Sequence, residues 1–277
     1  MRSRITLPSG PTGRGVRIAI VDSGVNVAHP HISSRSNGPN DDAVDSEHCG
    51  TIDGLTFDEY GCAQTGYVDR LGHGTAVAAA IREKAPDSHL FAVKVFDRTL
   101  STSVTALVRA IEWAAHSGMH VVNLSLGTSR REHEEILQTA VALAYAKGTF
   151  IVAAGHDGTV RWLPGSLSSV ISVRVDWSCP RDQFRIARCD DRPIFLASGF
   201  PREIPGVPPR HNLNGISFAV ANVTGFVARA FEAAADKSFD CILQTLEQAG
   251  SSDGESRTRE HRIRRTKGTK CTRSYGT

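Results

Sequence analysis

The chain has 277 residues, 40% of them hydrophobic, enough to bury a sizeable core as one large domain. No apolar run approaches the roughly 20 residues of a membrane-spanning helix, which excludes an integral helical membrane protein and predicts no membrane partner. The formal net charge of +3 is uneven. Ser251 to Thr277 holds eight lysines and arginines against three acids, a balance of +5 that leaves −2 for the rest, so the basic character belongs to the tail and not to the fold.

The organisation that follows is a folded catalytic domain over 1–250 and a basic tail over 251–277, too polar to offset its own ordering entropy and therefore predicted to be disordered. Nucleic-acid binding through that tail would need only electrostatics and is the weakest reading of it. The start, Met-Arg-Ser-Arg-Ile-Thr-Leu-Pro, lacks the apolar core of a secretory signal. A native start at residue 1 predicts a cytoplasmic protein; removal of a signal and pro-segment predicts a secreted one. Six cysteines (Cys49, Cys62, Cys179, Cys189, Cys241 and Cys271) show no CxxC or zinc-like spacing and read as reduced thiols. In an oxidising compartment Cys49 with Cys62, and Cys179 with Cys189, would each close a loop.

In chain order, Val16–Val21 is a short apolar run ending in Asp22-Ser23-Gly24, a buried parallel strand with an acid at its carboxyl end, where ligands and catalytic groups collect in open α/β sheets. The polar stretch Asn26–Leu71 reads as a functional loop or a set of short irregular elements. It carries eight acids between Arg35 and Arg70 (Asp41, Asp42, Asp45, Glu47, Asp53, Asp58, Glu59, Asp69) and no lysine or arginine. Gly72-His73-Gly74-Thr75 opens an alanine-rich helix that Pro86 follows. His89–Val95 alternates as a strand, and Ser101 or Ser103 caps a helix through Ala115 that Gly118 ends. Val121–Ser125 is a strand, Glu132–Lys147 a helix, and Phe150–Ala154 a strand running into Gly155-His156-Asp157-Gly158. Val170–Val175 and Ile194–Ala197 complete the strands. Alternating strands and helices predict an α/β fold, a mostly parallel central sheet with helices on both faces.

Asn214 opens NGISFAVANVTGFVARAFE, in which Gly215 allows a tight turn, Ser217 stands at a helix N-terminus, and the residues after it are small or apolar on nearly every face. A hydroxyl there meets unpaired N–H groups and the positive end of the helix dipole, which favour the charge that develops in acyl transfer. The alternative is a serine that merely caps a buried helix. Asp22, His73 and Ser217 thus occupy three distinctive settings, and the order Asp, His, Ser differs from that of α/β-hydrolases and chymotrypsin-like barrels.

IAIVDSGVNVAHP (18–30), GHGTAVAAAI (72–81), VVNLSLG (121–127), IVAAGHDG (151–158) and NGISFAVANVTG (214–225) together resemble, in order, the motifs of the subtilisin-like serine proteases, the subtilases. The resemblance implies a subtilisin-like fold and a serine endopeptidase acting on peptide or protein substrates. Ser217 would be the nucleophile, His73 the base and Asp22 the orienting carboxylate. Ser125, Leu126, Gly127 and Gly155 would bind extended substrate, and His156 with the Ser217 N–H would form the oxyanion hole. His156 stands where the family usually has a side-chain amide. Gly215-Ile216-Ser217 replaces Gly-Thr-Ser, and Ala221 replaces the proline four residues after the serine.

Asn212, Asn214 and Asn222 are candidate substitute donors to the oxyanion. Catalysis needs no cofactor or metal. Structural calcium, common in the family, has candidate ligands among the acids from Asp41 to Asp69, with none assigned. A chain without a pro-domain before its first strand fits a mature form or an enzyme dedicated to processing one precursor peptide. The rival reading is a pseudoprotease that lost turnover through His156 and retains peptide binding. Nothing in the sequence fixes the oligomeric state.

Overall fold

A computed structural model describes residues 10–33, 52–157, 160–189 and 192–251. The readings placed on Asp41, Asp42, Asp45, Glu47, Cys49, Cys271 and the basic tail lie outside these residues.

The elements in order are β1 (Arg17–Asp22), α1 (Pro30–Ser33), β2 (Asp53–Phe57), β3 (Ala63–Gln64), α2 (His73–Lys84), β4 (His89–Lys94), α3 (Val104–His116), β5 (Val121–Leu124), α4 (Glu134–Ala146), β6 (Phe150–Ala154), β7 (His156–Asp157), β8 (Val160–Arg161), β9 (Val170–Val175), β10 (Phe184–Cys189), β11 (Arg192–Ala197), α5 (Ile216–Ala233) and α6 (Phe239–Ser251). Nine strands form one sheet in the order β10-β11-β9-β6-β5-β1-β4-β2-β3. Its inner pairs are parallel, and the outermost pairs, β10 with β11 and β2 with β3, are antiparallel. The predicted α/β architecture is therefore the observed one.

Successive side chains on a strand point to opposite faces, and β1 shows what this does. Ile18 and Ile20 join the core under α2, α5 and α6, whereas Ala19 and Val21 join the core under α3 and α4. Both faces are buried, so the central strands read as continuous apolar runs. The side chain of Ser103 accepts from Ala106 N at the start of α3, as its sequence position suggested. α5 is buried nearly all round and packs on α2 and on strands β5, β6, β9 and β11.

Among the elements that were not anticipated, three extend the sheet and its cover. β2 lies inside the stretch read as irregular; its five residues pair with β4 on one side and β3 on the other. β10, whose arginines break any apolar run, is held as an edge strand by pairing with β11 alone. α6 buries Ile242 and Leu246, one turn apart, against α5 and β10. Among the described residues no helix is long and apolar enough to cross a membrane.

Candidate active site

By strand parity Asp22 falls on the same face as Ile18 and Ile20, the face covered by α2, and His73 is the first residue of α2. The two elements approach closely because residue 74 is glycine: a Cβ there would lie 2.2 Å from Gly24 O and 3.2 Å from the Asp22 side chain. His73 Nδ1 donates to Asp22 Oδ1 at 2.7 Å, and Ser23 N donates to the same oxygen at 2.7 Å. Asp22 is fully buried, and its Oδ2 has no hydrogen-bond partner among the described residues. Burial pushes the His73 imidazole down, but the hydrogen bond and charge of Asp22, with a further contribution from Asp69, outweigh it and hold it above its ordinary 6.5. A proton fixed on Nδ1 leaves Nε2 as the basic nitrogen.

Asp69, which the sequence offered only as one acid in a run, organises the start of α2. Its Oδ1 accepts from Ser23 Oγ at 2.8 Å and from Leu71 N and Gly72 N, both at 2.9 Å. Its Oδ2 accepts from Thr75 N at 2.9 Å and Thr75 Oγ1 at 2.6 Å. Ser23 Oγ in turn accepts from Gly74 N at 2.9 Å, which joins the loop after β1 to the first turn of α2. Burial raises the Asp69 carboxyl, but the hydrogen bonds from Thr75, Ser23 and Leu71 prevail and hold it below the ordinary carboxylate value. An acid four residues before the first helical residue, ahead of a glycine turn, was the available signal for such a cap. The buried Lys94 braces the same loop, donating to Val68 O at 3.0 Å and Asp97 Oδ1 at 2.9 Å.

Gly215 precedes α5 with φ 148°, a backbone conformation that favours glycine, and its N–H donates to Gly199 O. Ser217 is the second residue of α5. No side chain caps that helix, so the capping reading of this serine does not hold. Its hydroxyl donates instead to Ser125 O at 3.3 Å. Ser125 is itself positioned by Asn123 Nδ2, which donates to Ser125 Oγ at 2.8 Å, while Thr224 Oγ1 of α5 donates to Asn123 Oδ1 at 2.9 Å. This buried polar link between β5 and α5 was not foreseen. Phe218, the neighbour of Ser217, lies with its ring centroid 5.5 Å from that of His73, which brings the head of α5 beside the head of α2.

His156 is exposed on β7, paired across the hairpin with Arg161. Gly155 before it is buried, its N–H donating to Val173 O and its carbonyl accepting from Trp162 N. The close approach that Gly155 permits is to its own chain, since a Cβ there would lie 1.9 Å from Ser172 Oγ. Gly127 is exposed and Leu126 packs on the α3 and α4 layer. Asn222 is buried with both amide hydrogens directed at Ser198 O and Phe200 O, so it is no oxyanion donor. Asn212 and Asn214 donate to Arg202 O and Asn212 O.

Asp58 and Asp69 accept bonds from several N–H and O–H donors and do not fit a calcium site. Among the described residues there is no cluster of three or more metal-ligating side chains. Cys179 is a free thiol and forms no disulfide with Cys189, and burial pushes the Cys179 thiol up to about 11.

Residues 13–175 match the subtilase family. The chain is 30% identical to the subtilisin of Bacillus pumilus over 236 residues, 79% of this chain and 78% of that protein. It is 34% identical to the M-protease of Shouchella clausii over 252 residues, 82% of this chain and 57% of that one. Among solved structures it is similar to the prenylagaramide maturation protease PagA, with 26% identity, a TM-score of 0.55, and coverage of 80% of this chain and 76% of that one. The chain spans 24% to 57% of the length of several curated relatives. The ordered motifs, the mostly parallel sheet and these matches agree, and the chain belongs to the subtilase family.

Proposed function

We propose that this chain is a serine endopeptidase that cleaves peptide or protein substrates through an acyl-enzyme. The observation that carries this reading is the 2.7 Å hydrogen bond from the half-buried His73, through Nδ1, to the buried Asp22, made where α2 meets the head of α5. Asp22 holds the imidazole in the tautomer whose Nε2 takes the Ser217 proton as the hydroxyl attacks the scissile carbonyl, and stabilises the imidazolium that results. The imidazolium then protonates the leaving amine, and water repeats the sequence to free the acid. The Ser217 N–H, in the first turn of α5, stabilises the tetrahedral oxyanion, with His156 as a second donor. Ser125 to Gly127, following β5, pair with the acyl part of an extended substrate. The likeness to a maturation protease supports a precursor peptide as that substrate.

Labelling with a fluorophosphonate tests the reading directly. The wild-type protein should be labelled at Ser217, and Ser217→Ala and His73→Ala should each abolish labelling. Folded wild-type protein that stays unlabelled at neutral to mildly alkaline pH would refute it.

A further inference from the structure

A cavity of about 300 Å³ lies beside the candidate active site, walled by the outer side of the first turns of α2, by the loop after β1 and by the loop that leads to Ser217. His29, His31, Thr75, Arg202, Asn212 and Leu213 line it. Its position follows from the layers. Ser125 follows β5, and Leu126 packs on the α3 and α4 side of the sheet. The cavity lies against α2, which with α5 covers the other face of the sheet, and its lining reaches Gly72 next to His73 and Leu213 ahead of Ser217. A substrate whose acyl part pairs with Ser125 to Gly127, and whose carbonyl sits at Ser217, sends its leaving segment toward this cavity.

One cation within it keeps hydrogen-bond donors to spare. Arg202 is half-buried and held between two loops: it donates to His31 O at 3.2 Å, and Asn212 Nδ2 donates to its carbonyl at 3.3 Å. Among the described residues one of its five N–H donors is used, which leaves the rest of the fork for a ligand. Burial, and then the Arg202 charge, lower the His31 imidazole. Asp69 also lines the cavity as a carboxylate, but its oxygens are turned to five donors at the N-terminus of α2 and are not free to receive a cation. Arg70 is directed to Asp97. Ile204 and Leu213, 41% and 46% exposed, give the rim an apolar wall for an aliphatic stem. By contrast, the larger cavity before α3, about 930 Å³, balances Asp58, Glu59 and Asp97 against Arg70, Lys94 and Arg98.

Resting on the proteolytic reading above, we propose that Arg202 makes this cavity a receptor for a carboxylate on the leaving side of the scissile bond. The carboxylate is either the side chain of a glutamate or aspartate within the first few residues or the α-carboxylate of a short leaving peptide. A planar fork suits a carboxylate and a lysine ammonium would be repelled.

The test uses quenched fluorogenic peptides that share one acyl part. In one arm, amidated leaving segments carry Glu, Gln or Lys at each of the first three positions. In the other, an all-alanine leaving segment ends in a free carboxylate or an amide. In at least one arm the carboxylate-bearing peptide should have a kcat/KM roughly tenfold above its neutral partner at low salt, shrinking as salt rises. The arm that responds identifies the source. Arg202→Gln should erase that ratio, and Arg202→Glu should turn it toward lysine. The same leaving segments, added as free labelled peptides to Ser217→Ala, should bind in the same order by fluorescence anisotropy, a readout that needs no turnover. Equal constants in both arms, or a ratio that survives Arg202→Gln, would overturn the assignment. If no peptide is cleaved and no fluorophosphonate labels Ser217, the proteolytic reading fails, while the anisotropy order still decides whether the cavity selects a carboxylate.

Discussion

Replacing Asp69 by asparagine removes one charge and changes one atom at the point where β1, its following loop and α2 meet. The amide nitrogen will take the Oδ2 side, because Oδ1 has three donors to satisfy and Oδ2 has two. The Thr75 hydroxyl can rotate to accept from the new amide, but Thr75 N–H, in a buried residue, loses its acceptor. An unsatisfied buried donor costs about 1–3 kcal/mol, and the surviving bonds weaken with the charge, so the loss should total about 2–3 kcal/mol. For a chain of this size that lowers Tm by roughly 4–12 °C. The wild-type carboxyl lies below its ordinary value, so its contribution is present above that value and is lost as pH falls through the lower folded one. The stability gap between wild type and variant should therefore be full at neutral pH and close in acid.

The kinetic consequence has a separate sign. His73 must be neutral to act as base, so kcat/KM rises with pH through its pKa, which the wild-type surroundings raise above 6.5. Because Asp69 contributes to that rise, Asp69→Asn should move the acid limb of the kcat/KM profile to lower pH while reducing the plateau. A limb that stays in place or moves to higher pH in folded variant protein would show that Asp69 braces α2 without acting on the imidazole.

Gly74→Ala should reduce the rate of fluorophosphonate labelling more than it reduces Tm, because the added methyl meets Gly24 O and the Asp22 side chain at the point where the imidazole is oriented. An overpacking cost of about 1–3 kcal/mol is the expected size, read from thermal melts. Thr224→Val removes the donor to Asn123 Oδ1 in a fully buried site; it should cost about 1–3 kcal/mol and raise KM by loosening Ser125, as measured by denaturation and by peptide kinetics. His156→Asn should raise turnover and His156→Ala should lower it, since an amide always presents an N–H where a neutral imidazole has only one. Loss of an oxyanion donor costs about 100- to 1,000-fold in turnover, a value established in subtilisin itself. Unchanged turnover in both variants would assign the second donor elsewhere.

Much of the fold is written locally. An apolar run as short as Ile18–Val21 has no polar face to offer water and suits an interior strand, and the serine at 103 marks the start of α3 through one side-chain bond. The settings of Asp22, His73 and Ser217 were legible for the same reason: each sits where a strand ends or a helix begins, and the motifs around them carry the family pattern. Other features had no local signature. β10 is a strand because β11 pairs with it, and the residues of α6 are helical because α5 and β10 cover Ile242 and Leu246. Asp69 carried the local signal of a cap, but not that Ser23 Oγ, 46 residues away, would join its four nearby donors, and Asn222 looked available as a donor until its amide was found facing Ser198 O and Phe200 O. Sequence determines which groups a strand end or helix head can present, because those preferences act over a few residues. Which groups a polar side chain meets depends on segments 20 to 100 residues away, and only the packing of the sheet against its helices decides that.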